Sequence, residues 1–143
     1  MILNFLFPVK PDAKGYSLLL LSFRILFGVL LMTHGLQKLS NFDALSGKFP
    51  DPLGVGHSLS LGLAIFGELA CSIGFILGAF YRLALIPMIF TMVVAFFIIH
   101  GGDPFAAKEL AFAYLMVYVI MYFAGPGKFS IDYFIGKMIK KRK

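Results

Sequence analysis

Two charged residues stand inside long apolar stretches: Arg24 in a run over about 17–36, and Glu68 in a run over about 58–80. An ionised side chain at bilayer depth costs several kcal/mol when alone, so such residues turn inward, find partners and mark candidate sites. Counted from Leu36, Arg24 lies about 18 Å down at 1.5 Å per helical residue; counted from His57, Glu68 lies about 16 Å down. The similar depths predict an Arg24–Glu68 ion pair between successive helices. Gly28 and Gly35 share a helical face with Arg24, and Ser60, Ala64 and Ser72 share one with Glu68, so close approach is open to both. The pair is either a structural lock or a gate or proton site.

A second set gathers where the apolar runs end. His34 closes the first run with Lys38 one turn on, His100 closes the third, and Lys108 and Glu109 open the fourth. His57 and Asp103 reach the same level. His34, Lys38, His100 and Glu109 predict an outer polar pocket able to hold a polar head group or exchange protons. In the plainer reading they are interfacial residues solvated by head groups. HxxxH and ExxH spacings are absent, so no metal site is assigned. Haem between His34 and His100 is disfavoured.

Tyr114, Tyr118 and Tyr122 form an i, i+4, i+8 stripe. On an ideal helix Glu109 lies about 180° from Tyr118, so both cannot face the interior. The expectation puts Glu109 inward and the tyrosines against lipid or a subunit; the reverse puts their hydroxyls near Arg24 and Glu68. No Ser-His-Asp arrangement, phosphate loop or dinucleotide fingerprint is present. The one cysteine, Cys71, excludes a CxxC pair, so no self-sufficient catalytic motif is found.

The elements that carry these residues follow from composition. Of 143 residues, 59% are hydrophobic and 14% charged, with a mean hydropathy of +0.89. A soluble domain of this size cannot hide so much apolar surface, which leaves an integral membrane protein. Four runs, about 17–36, 58–80, 82–100 and 104–123, each reach the roughly 20 residues a spanning helix needs. An all-α four-helix bundle forming one domain over residues 1–143 is the expected fold. Asp103-Pro104 reads as an N-cap and helix start, Gly125-Pro126-Gly127 as a stop, and residues 78–81 as a tight turn. Pro87 is expected to bend the third helix. The proline-rich segment 49–56 cannot be a regular helix and is expected to fold back as a lid. Residues 1–7 are too short to span and are expected to lie in the interface.

The net charge is +6, but five of the thirteen basic residues are Lys137, Lys140, Lys141, Arg142 and Lys143, a juxtamembrane tail suited to an anionic leaflet rather than a nucleic-acid stripe. Lys10, Lys14, Arg82, Lys128 and this tail flank one side of the spans, against Lys38, Lys48 and Lys108 on the other. The positive-inside rule therefore places both termini in the cytoplasm.

Arg24, Gly28, His34-Gly35 and Lys38-Leu39 resemble the first-helix signature of the DoxX family; Glu68, Gly74, Gly78 and Arg82 resemble its second block; His100, Glu109 and Gly125-Pro126-Gly127 with Ser130 and Asp132 resemble the rest. The resemblance implies a small four-helix protein of the bacterial inner membrane. It further implies an accessory or quinone-interacting subunit of a membrane oxidoreductase system, with Arg24, His34, Lys38, Glu68, His100 and Glu109 as the marked residues. Quinone and a redox enzyme are the implied partners besides the bilayer, and oligomerisation is open. The competing expectation is a non-catalytic binding or assembly protein, or a small transporter.

Overall fold

The computed structural model describes residues 13–141, so the expected interfacial segment 1–7, Lys10, Arg142 and Lys143 lie outside the described residues. Four helices are long and apolar enough to cross a membrane: α1 (Ala13–Ser40), α3 (His57–Leu77), α4 (Tyr81–Ile99) and α5 (Phe105–Ala124). A single turn, α2 (Phe42–Leu45), follows α1, and α6 (Ile131–Lys141) ends the described chain. No strand occurs among the described residues. The protein is all-α, as its four apolar runs predict. Leucine, isoleucine and phenylalanine side chains stand exposed along all four long helices, the surface expected of spans whose solvent is lipid.

The turns have local causes. Gly78 ends α3 in the left-handed region (φ 65°), where a Cβ would stand 2.5 Å from Ser130 Cβ. The Asp132 carboxylate accepts from the backbone N–H of Phe80 (2.9 Å) and of Tyr81 (2.8 Å), satisfying the first orphan donors of α4. Phe80 is held there at φ 46°, a conformation that costs a phenylalanine energy and persists because its amide is bound. Gly125 stops α5 at φ 84°. At the start of α5 the structure departs from expectation. The flanking residue is Pro104 with no side-chain cap, and Asp103 turns back to His100 instead.

α1 and α3 pack in an antiparallel register fixed by glycines. A Cβ on Gly35 would stand 2.8 Å from the Leu69 backbone N, one on Gly28 would collide with Ile76, and one on Gly78 would stand 2.8 Å from Arg24 Nη2. Glu68 is therefore level with residues 35–36, and Arg24 with Gly78. The two charges are separated by eleven residues of α1, about 16 Å along its axis. The expected Arg24–Glu68 pair is not formed. The depth count assumed that Leu36 and His57 mark one plane, whereas α3 projects past the end of α1 on the loop side and α1 projects past α3 on the other.

Arg24 does something else. It is 1% exposed, and its guanidinium donates to the carbonyls of Phe75 (3.0 Å), Ile76 (2.5 Å), Pro126 (2.9 Å) and Phe129 (2.7 Å). Phe75 and Ile76 lie in the last turn of α3, where the helix dipole also favours a cation; the Phe75 carbonyl accepts in addition from the Gly78 N–H at 3.2 Å. The residue is a buried tie between that helix end and the 125–130 turn.

Because each orphaned buried carbonyl costs about 1–3 kcal/mol, Arg24→Leu is expected to abolish recovery of monodisperse protein in mild detergent. Adding Glu68→Leu is expected not to restore it. Restoration by the double substitution, read by fluorescence-detected size exclusion, would show that the two charges are coupled after all.

Candidate functional site

Glu68 is paired, but with Lys38: Nζ donates to Oε2 at 2.6 Å, with side chains 25% and 8% exposed. Gly35 brings the backbones of α1 and α3 together one turn below Lys38, which lets the lysine stem reach across. Glu68 sits in a π-helical stretch, Phe66–Ala70, within α3. Such stretches are rare and recur at functional sites because the wider turn re-aims a side chain. The Ser72 hydroxyl donates back to the Glu68 carbonyl at 2.7 Å and steadies that turn.

The pair lies on a cavity of about 670 Å³ between α3, α4 and the loop 49–53. Its walls are mostly apolar, with Lys38, Glu68, Ser60, Thr91 and His100 as the polar groups. α4 carries a second π-helical stretch, Val94–Ile99, whose last bond (His100 N–H to Ala95 O, 3.0 Å) leads into His100. The imidazole Nδ1 is bonded to Asp103 Oδ2 at 2.7 Å. Gly67 packs on Thr91 of α4, so Thr91 is level with the ion pair. His100, nine residues further along, stands about 13 Å higher. Lys38 and Glu68 thus form the floor, and His100 stands toward the loop end. On one flank Leu63, Phe66, Ile86 and Phe90 both line the cavity and are exposed on the outer surface of the helices, so that flank faces the lipid.

Segment 49–56 does fold back, and its fixing is chemical. The Asp51 carboxylate accepts from the Ser60 hydroxyl (2.7 Å) and from the N–H groups of Gly56 (2.8 Å) and Val55 (3.0 Å). His57 Nδ1 lies 2.6 Å from the Phe49 carbonyl, and the Ser58 hydroxyl donates to the Ser46 carbonyl at 3.1 Å. Phe49, Pro50, Pro52 and Leu53 are thereby laid along the cavity wall. The Ser60 hydroxyl and the two amides stabilise the ionised Asp51, holding its carboxyl below the ordinary value of 3.8. Asp51 and Ser60 were not among the expected site residues. The signal was the Asp51-Pro52 step ahead of Gly54 and Gly56, a turn-forming composition with an acceptor at its start.

The remaining expected pocket residues scatter. His34 is half-buried with its ring edge-on to Tyr114 at 6.3 Å and does not line the cavity. Glu109 is exposed and also outside it, which corrects the expectation that it faces inward. Tyr114 and Tyr118 take the interior, 4% and 0% exposed, with the Tyr118 hydroxyl donating to the Phe27 carbonyl at 3.0 Å. Glu109 lies near the start of α5, where water and head groups are at hand, so burying it would cost more than burying hydroxyls that find acceptors. Lys108 donates to the Gly101 carbonyl at 3.2 Å and lies 4.9 Å from the Phe96 ring centre.

A family model described as DoxX matches residues 19–101, which include Arg24, His34, Lys38, Asp51, Glu68 and His100. The chain belongs to the DoxX family. No curated protein and no solved structure gives a match. The DoxX match ends just past His100, so it spans three of the four long helices and the whole cavity but not Glu109 or α6. With its four apolar helices, this DoxX protein is a multi-pass membrane protein.

Two outcomes are expected. Lys38→Met leaves the Glu68 carboxylate unpaired in a buried site and should destabilise the protein by about 3 kcal/mol, while Lys38→Met with Glu68→Leu should regain most of it; thermal unfolding in detergent reads both. For Asp51 the folded carboxyl titrates below 3.8, so its support of the loop is present above that pH and lost as pH falls through the lower folded value. Protection of the Val55 and Gly56 amides against hydrogen exchange should collapse there, and should be missing at every pH in Asp51→Asn.

Proposed function

We propose that this DoxX protein receives the polar head of a quinone-like, lipid-soluble ligand in the α3–α4 cavity and serves a membrane oxidoreductase system as an accessory subunit. The observation that carries the reading is the cavity itself: an apolar slot with one lipid-facing flank and a charged pair on its floor. The Lys38 ammonium has three donors and gives one to Glu68, so it retains donors for a ligand carbonyl. His100, toward the loop end, has its Nδ1 engaged by Asp103, which leaves Nε2 as the ring's second polar position. Phe66 and Phe90 offer flat apolar surface for a ring, and a ligand's tail would leave through the flank they border.

In this reading the protein sits in the inner membrane, as the family resemblance implies, and both termini are cytoplasmic, because the basic residues of the described chain collect at the terminus-bearing end in Lys14, Arg82, Lys128 and α6. The 49–56 loop then closes the cavity on the opposite face. No side chain on the cavity supplies a redox centre, so electrons would belong to a partner enzyme, with this chain holding the ligand.

Protein extracted in mild detergent is expected to carry quinone detectable by mass spectrometry. Lys38→Met with Glu68→Leu, once thermal unfolding shows its stability regained, is expected to lower quinone retention about tenfold, and His100→Ala by less. A preparation free of quinone that also fails to take up added quinone would overturn the reading in favour of a non-catalytic assembly or transport role.

A further inference from the structure

α6 is amphipathic to a degree that none of the spans approaches. At 100° per residue, Ile131, Phe134, Ile135, Met138 and Ile139 fall within roughly 140° of the helical circumference. Lys137, Lys140 and Lys141 occupy the remainder, and none of the three makes an ion pair among the described residues. No residue of α6 is buried, and Phe134, Met138 and Ile139 are all more than half exposed. The apolar face therefore has no cover among the described residues. The helix nevertheless starts from a fixed point: the Asp132 amide donates to the Gly78 carbonyl (2.9 Å), and the Asp132 side chain caps α4. That point is where three spans end or begin, at the edge of the apolar belt.

We propose that α6 lies in the membrane interface with its apolar face in the acyl boundary and its lysines on anionic head groups. An apolar stripe flanked by lysines is the pattern that partitions to this depth, with each lysine near an anionic surface adding about 1 kcal/mol. The charge selects the lipid: three unpaired ammonium groups beside the stripe match a phosphate-bearing, negatively charged leaflet and repel a second copy of the same helix. The tie through Asp132 has a structural result. Seating α6 on the surface positions the turn that caps α4 and supplies the Phe129 carbonyl to Arg24, so anionic lipid acts on the bundle at its terminus-bearing end.

The chain contains no tryptophan, so a single introduced one reports without background. Full-length Phe134→Trp and Lys140→Trp are compared in nanodiscs holding one copy each, with and without phosphatidylglycerol. Quenching by brominated acyl chains is expected to be at least about threefold stronger at position 134 than at 140. Replacing Lys137, Lys140 and Lys141 by Glu in the Phe134→Trp protein should reverse the preference for phosphatidylglycerol without changing the monodisperse elution of the bundle. Equal access of aqueous iodide to both tryptophans overturns the proposal. So does shielding of position 134 that appears only in discs holding two copies, which would assign the face to a second chain, and so does shielding unchanged by lipid charge.

Discussion

The bundle rests on one buried guanidinium. A buried backbone carbonyl short of donors has no water to turn to, and the sharp corner at Gly78 ends the helical ladder that would serve the last carbonyls of α3. Arg24 supplies donors to two of them and to two from the 125–130 turn, so one side chain satisfies acceptors from elements fifty and a hundred residues away. Asp132 completes the corner by serving the amides that begin α4. Together the two residues close the end of one helix and the start of the next with opposite charges placed where the helix dipoles favour them.

This closure governs what happens higher up. With α1 and α3 locked at Arg24, Gly28 and Gly35, the register leaves Lys38 opposite Glu68 and leaves the arginine no part in the cavity. The cavity then arises because two helices each carry a π-helical stretch facing the same space, and because a loop with its own acidic staple is laid along the wall. Arg24 and the Lys38–Glu68 pair are segregated to different depths, each with its own partners.

The helices were legible because length and hydropathy alone demand them, and the stops at Gly78 and Gly125 were legible because glycine at positive φ is local chemistry. That Arg24 and Glu68 are special was legible too, since lipid penalises either one alone. Their partners were not. The sixteen residues between α1 and α3 tolerate any vertical offset, so equal depth from the helix ends says nothing about which residues meet. The glycine at position 35 held the missing information, but only in combination with the residue it packs against. Asp103 shows the same limit on a small scale: its sequence context describes a cap, yet a histidine three residues back offers the better hydrogen bond. The choice between Glu109 and the tyrosines turned on access to water at the helix start, which angular periodicity does not encode.

The open side formed by Leu63, Phe66, Ile86 and Phe90 changes what counts as concentration. A molecule that arrives through it is drawn from a two-dimensional reservoir, where a minor component is far more abundant per unit volume than in the surrounding water. Occupancy then follows mole fraction among the lipids, and a modest intrinsic preference suffices to fill the slot. Acyl chains of the bilayer would compete for the same apolar walls, so in the proposed reading discrimination rests on the two charges at the bottom.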